Sequence, residues 1–132
     1  MSEEFEYGSF DEQFAKGVEL FNAKEFFDCH DVFEELWQYD RSEMRLFLQG
    51  LIQAAVGCYH LSNGNTTGAI SQYTKSLDKL RKYADDNGGL KVALLRTELE
   101  RCLGGAMTMH EAGKRFEVAQ EYFPVIEVVA EG

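Results

Sequence analysis

Within the stretch FFDCHDVFEELW, residues 26–37, an imidazole, a carboxylate and an indole stand four and then three positions apart: His30, Glu34 and Trp37. On a helix the first two share a face, because residues at i and i+4 lie about one turn apart. So placed, they can share a divalent metal ion, act as a general base with an orienting carboxylate, or form a hydrogen-bonded pair that fixes helix register. A tetrahedral site needs three or four ligands. Asp28, Asp31, Glu35, Glu12, Glu19 and His60 are the further candidates, none at a spacing that completes the set. No HExxH is present, and no pair of Glu-x-x-His elements, so zinc-protease and ferritin-like di-iron chemistry have no support.

A second polar row lies downstream. MRLFLQGLIQAAVGCYH, residues 44–60, is apolar nearly all round except for Arg45, Gln49, Gln53 and His60. At 100° per residue these four fall within an arc of about 80°. An arginine, two glutamines and a histidine suit a hydrogen-bonded, partly buried row better than a solvated face rich in Lys and Glu. A short connection makes the two helices antiparallel neighbours. Pairing outward from the turn then sets Trp37 near Arg45, Glu34 near Gln49 and His30 near Gln53. Glu34 comes within reach of the Arg45 fork, and Arg45 can stack on Trp37. His60 is expected to meet the turn around Asn22 and not His30.

These residues need helices to hold them. Ser9 with Glu12 reads as a capping box opening a helix over Phe10–Asn22, buried through Phe14, Val18 and Phe21. A second helix is predicted over Glu25–Tyr39 and a third over Glu43–Leu61, capped by Ser42 and stopped at Gly64. Asn65 or Thr66 caps a fourth, with Ala69, Tyr73, Leu77 and Leu80 on one face, running to DDNGG at 85–89. A fifth is expected over Leu90–Leu103, ended by Gly104-Gly105, and a last one over 106–120, interrupted at Gly113. YFPVIEVV then reads as an extended strap, because proline and β-branched residues disfavour helix.

A faint repeat runs at an offset of forty residues, where Cys29 and Phe33 match Ala69 and Tyr73. Small-then-aromatic spacing of this kind occurs in tetratricopeptide-like helical hairpins. The expected fold is therefore all-α: a compact antiparallel helical bundle of about five to six helices, with two related tetratricopeptide-like hairpins. It is read as one helical domain over 1–132, its core over 10–104 and a C-terminal strap over 105–132.

With these blocks in place, the chain resembles a bacterial and archaeal domain family of unknown function whose signature is HxxxExxW/Y. His30, Glu34 and Trp37 match that signature. FLQGLIQAAVGCYH and GNTTGA (64–69) are similar to further segments of the family, and the likeness covers residues 14–80. The resemblance implies an all-helical fold and a metal role for His30 and Glu34, and it brings no known reaction.

Composition narrows the partners. A net charge of −10, with 23 acidic against 13 basic residues, argues against a nucleic-acid surface, which needs clustered cations. Lys75, Lys79, Arg81 and Lys82 read as the solvated face of the fourth helix. Cys29, Cys58 and Cys102 stand singly in apolar stretches and read as reduced core thiols; in a metal-free mechanism Cys29 or Cys58 would be the nucleophile. His110 has no spaced partner. The aromatics Phe5, Tyr7 and Phe10 are candidates to dock on the bundle or on a partner. The acidic N-terminus lacks an apolar signal segment and no run approaches membrane-spanning length, so a cytoplasmic protein without membrane contact is expected.

Two functions follow. The first is a polar site of His30, Glu34, Trp37, Arg45, Gln49, Gln53 and His60 that binds a divalent metal ion through His30 and Glu34, or a small ligand. The second is a non-catalytic scaffold for a protein partner or a second copy, with the same residues as a structural network.

Overall fold

Each apolar stripe becomes the buried face of a helix in the computed structural model, which describes residues 4–5, 8–113 and 123–130. A two-residue ladder, β1 (Glu4–Phe5) against β2 (Gly8–Ser9), leads into α1 (Phe10–Asn22). The Ser9 hydroxyl accepts from the Glu12 amide at 3.3 Å and so satisfies one of the orphan donors of the first turn. α2 (Phe26–Tyr39), α3 (Met44–Ser62) and α4 (Thr66–Leu80) follow, each packed on the helix before it. β3 (Asp86–Asn87) and β4 (Leu90–Lys91) form a small hairpin, and α5 (Val92–Ala112) packs on α4. The fold is all-α. Among the described residues no helix is long and apolar enough to cross a membrane.

The two central hairpins are one unit used twice. α1 ends at Asn22 and α3 at Ser62, while α2 begins at Phe26 and α4 at Thr66. The residue with positive φ in each turn is Lys24 (64°) and then Gly64 (75°). Gly17 lies against the Phe33 ring and Gly57 against the Tyr73 ring, forty positions on. A Cβ on Gly57 would stand 2.7 Å from two Tyr73 ring carbons, so only glycine lets that ring rest on the partner helix. Cys29 and Ala69, one turn before each ring, are both fully buried and keep the helices close. Glycine, small residue and aromatic recur here at the spacing of tetratricopeptide hairpins.

Three expected boundaries move. α4 ends at Leu80 rather than running to 85–89, because Gly88 (φ 59°) and Gly89 (φ 76°) form a hairpin turn that needs two left-handed residues in a row. The fifth helix accordingly begins at Val92, since Leu90 and Lys91 belong to β4. It then passes through Gly104-Gly105 without a break. The buried stripe Leu95, Leu99, Cys102 and Ala106 continues across the glycines, and this packing outweighs their cost of about 1 kcal/mol each relative to alanine. The helix stops at Gly113, in the left-handed conformation (φ 64°). The rest of the helix expected over 106–120 lies outside the described residues, as does Tyr7.

Residues 123–130 are irregular apart from a bridge between Val128 and Leu90, and they tie distant parts together. Asn22 donates to the Ile126 carbonyl and accepts from the Ile126 amide, both at 2.8 Å. Phe123 packs on Phe26 with ring centres 5.2 Å apart. Two backbone bonds of 2.8 Å, Lys91 to Glu127 and Val129 to Gly89, join the segment to the β3–β4 hairpin.

Candidate functional site

The expected seam is laid along α2 and α3, but it divides into three groups. At the start of α2, His30 Nε2 and Glu34 Oε2 are 2.7 Å apart, and His30 Nδ1 faces Asp31 Oδ1 at 3.3 Å. The pair is not sealed: the His30 and Glu34 side chains are 28% and 41% exposed. At the end of α2, Arg45 Nη1 donates to the carbonyl oxygens of Trp37 and Asp40, and its guanidinium carbon lies 4.0 Å from the Trp37 ring centre. On the far side of α3, Gln53 Oε1 accepts from Lys79 Nζ at 2.8 Å.

The stack of Arg45 on Trp37 therefore forms where the short connection places it. Two other contacts do not. Among the described residues no ion pair joins Glu34 to Arg45, because the Arg45 fork is held by the carbonyls of the α2–α3 turn. Gln53 is bonded not to His30 but to Lys79, because α3 is packed between α2 and α4 and this side chain reaches α4. His30 instead shares a cavity of ≈ 210 Å³ with Phe26, Phe27, Val56, Tyr59 and His60. His60, expected to meet the turn around Asn22, lines the same cavity as His30. His60 Nδ1 lies 3.3 Å from Asn65 Nδ2, on the turn before α4.

Among the described residues no three His, Cys, Asp or Glu side chains gather where they could hold an ion. His30 and Glu34 bond to one another, and the other His30 nitrogen faces the exposed Asp31. A donor set of two on one helix does not fit a zinc site, which takes at least three protein ligands. The thiols offer no nucleophile either. Burial pushes Cys102 up to about 11 and also raises Cys29 and Cys58 well above the usual thiol value. Cys58 Sγ accepts from the Tyr73 hydroxyl at 3.3 Å in the core.

What the seam does provide is a larger opening at its other end. A cavity of ≈ 630 Å³ lies between the α2–α3 turn and the end of α4, lined by Trp37, Ser42, Glu43, Arg45, Leu46, Gln49, Lys82, Tyr83 and Ala84. Tyr83 is fixed in this wall, its hydroxyl donating to the Glu43 carbonyl at 2.9 Å and its ring meeting Phe47 edge-on at 5.1 Å. The motif thus spans two openings, with His30 in the small one and Trp37 in the large one. Sequence reasoning missed Lys82, which it read as part of a solvated helix face, together with Tyr83, and it missed Phe27 and Tyr59 in the small cavity. The signal for Lys82 is the clustering of Lys75, Lys79 and Lys82 within KSLDKLRKY. Burial first, then the charge of Lys75, with Lys82 adding and Asp78 opposing, holds the Lys79 pKa below the usual lysine value.

Comparison with known proteins points to the same helices. Residues 14–72 match the model of a family described as "Domain of unknown function (DUF309)". The chain is similar to "Uncharacterized protein YpuF" of Bacillus subtilis (strain 168), 40% identical over 53 residues, which is 39% of this chain and 30% of that protein. It is also similar to an "Uncharacterized protein" of Aquifex aeolicus (strain VF5), 26% identical over 84 residues, 63% of this chain and 25% of that one. The chain spans less than a third of the length of these relatives. All seven site residues read from the sequence fall inside the matched segment, whereas Lys82 and Tyr83 lie beyond it.

Proposed function

We propose that this chain is a small-ligand-binding helical module whose site is the cavity at the Trp37 end of the motif. The observation that carries the reading is that the polar seam opens instead of closing: Trp37, Arg45 and Gln49 converge on a void of ≈ 630 Å³, within the size range of ligand pockets. Its walls combine flat apolar surface, from Trp37, Leu46 and Tyr83, with a few polar groups, from Arg45, Gln49 and Lys82. That mixture suits orientation of a bound molecule. No ion enters the proposal, since among the described residues no third ligand joins His30 and Glu34.

Amide NMR with a mixed library of neutral and charged fragments tests it. Hits are expected to shift the amides of Trp37, Gln49 and Tyr83, and to lose that effect in Gln49→Trp, which fills the cavity. A library that leaves those amides unmoved, or moves them equally in the filled variant, overturns the proposal.

A specific observation favours a second reading, the interaction scaffold. Phe27 (56% exposed) and Tyr59 (40% exposed) present touching rings, centres 5.7 Å apart, beside His30. A scaffold would hold a purified partner through this aromatic pair. Binding would then fall in Phe27→Ser and Tyr59→Ser and persist in Gln49→Trp.

A further inference from the structure

Most of the charge on this protein is negative, yet the larger cavity is bordered by cations that carboxylates do not neutralise. Arg81, Arg96 and Arg101 each pair with an aspartate or glutamate. Among the described residues Arg45 does not: its bonds go to two carbonyl oxygens, so its full positive charge stays at the cavity wall. Lys82 lines the same cavity, and among the described residues its ammonium has no carboxylate partner within ion-pair distance. Lys79, three residues earlier, donates to the neutral Gln53. Glu43 is the only acid lining this cavity among the described residues, leaving an excess of one positive charge at a site on a chain of net charge −10.

Resting on the reading that the cavity binds a small ligand, we infer that it takes an organic anion with a flat apolar body, its headgroup held between Arg45 and Lys82. Arg45 Nη1 is committed to the turn, and its stacking on Trp37 fixes the plane of the guanidinium. A charge held this way meets an anion without first losing rotamer freedom. The flat body follows from the walls. Trp37 and Tyr83 are rings, and Tyr83 is anchored by both its hydroxyl and its edge contact with Phe47. A carboxylate and a phosphate share this recognition chemistry, since both accept hydrogen bonds from guanidinium and ammonium groups.

Four probes on the whole chain test it: benzoate, phenyl phosphate, the neutral benzamide and the cationic benzylamine, each titrated by NMR at low and moderate salt. Benzoate or phenyl phosphate is expected to bind at least about fivefold tighter than benzamide, as a charge-assisted hydrogen bond exceeds a neutral one. That preference shrinks as salt screens the cations. Whichever of the two anions binds tighter assigns the headgroup. Lys82→Gln, a change at an exposed residue, is expected to remove most of the preference for the anions over benzamide. Arg45→Gln is expected to do the same, and Lys82→Gln alone decides the matter should Arg45→Gln fail to fold. Benzamide or benzylamine binding as tightly as the anions overturns the anion assignment and leaves the ligand-binding reading standing. No shift at Trp37, Gln49 and Tyr83 from any of the four overturns the anion assignment; extending that silence to the whole mixed fragment library overturns the ligand-binding reading as well.

Discussion

Arg45 rests its guanidinium carbon 4.0 Å from the centre of the Trp37 ring and donates from the same group to the carbonyl oxygen of Trp37 itself. One side chain on α3 thereby holds both the last aromatic of the motif and the backbone at the end of α2. A second bond, to the Asp40 carbonyl at 3.1 Å, extends the hold into the turn.

The stack is expected to couple the two residues energetically. In a cycle of Trp37→Leu, Arg45→Lys and the double variant, urea denaturation is expected to give a coupling of about 0.5–2 kcal/mol, the range for a partly desolvated cation over an indole. Lysine keeps the charge but loses the planar fork and its paired carbonyl contacts. A coupling of zero would show that the ring and the guanidinium are neighbours without interaction.

Gly57 and Gly17 carry the close approach of the helix pairs. Gly57→Ala would place a methyl group 2.7 Å from the buried Tyr73 ring. The expected cost is about 1–3 kcal/mol from overpacking, even though alanine is the better helix former by about 1 kcal/mol. Gly17→Ala should behave alike against Phe33, and Phe33→Leu in the same chain should relieve part of its cost. Gly104→Ala is the control: its added Cβ meets nothing within 4 Å, so the same change should stabilise. Thermal or urea melts of the three variants decide it, and a uniform response would refute the role of the rings.

The periodicity of the apolar residues made the helices legible because all but the central α3 have a single buried stripe. Phe14, Val18 and Phe21 or Leu95, Leu99 and Cys102 leave few other ways to fold. The Arg45–Trp37 stack was legible for a similar reason, since a short turn leaves little choice of neighbour. Gln53 was not legible, because its partner depends on how α3 is rotated between two helices, and one helical wheel carries no information about the second neighbour. Lys24 adopts φ 64° without being glycine or asparagine, so nothing local marked it. The glycines at 88–89 were noticed as a stop, but two left-handed residues in succession specify a hairpin as well. The repeat showed through Cys29/Ala69 and Phe33/Tyr73, while its other half, Gly17/Gly57, needs the packing to explain it.

Asn22 is the anchor of the segment 123–130. Asn22→Ala removes a donor and an acceptor at once from Ile126, whose backbone lies against the bundle. The expected loss is about 1–3 kcal/mol, as the freed amide and carbonyl are left without those partners. Hydrogen exchange gives a local reading: the amides of Ile126 and Val129 should exchange faster, and the core amides of α3 should not outpace the global change. Unaltered exchange at Ile126 would show that the segment is held by Phe123 and the hairpin alone.

His30 and Glu34 give the sharpest separation between a rivet and a rim. A buried ionic network would lose about 3–5 kcal/mol on removal of one partner, because the other charge is left stranded. The pair here is 28% and 41% exposed, and water can take over whichever group is left. Glu34→Gln is therefore expected to cost less than about 1 kcal/mol, as for other exposed ion pairs. Arg45→Met should cost more, since it releases the α2–α3 turn. Because Glu34 and Arg45 share no partner, the double variant is expected to equal the sum of the singles to within about 0.5 kcal/mol. A double variant that loses clearly less than that sum would couple the two residues after all, and would restore a single network in place of two separate openings on the motif.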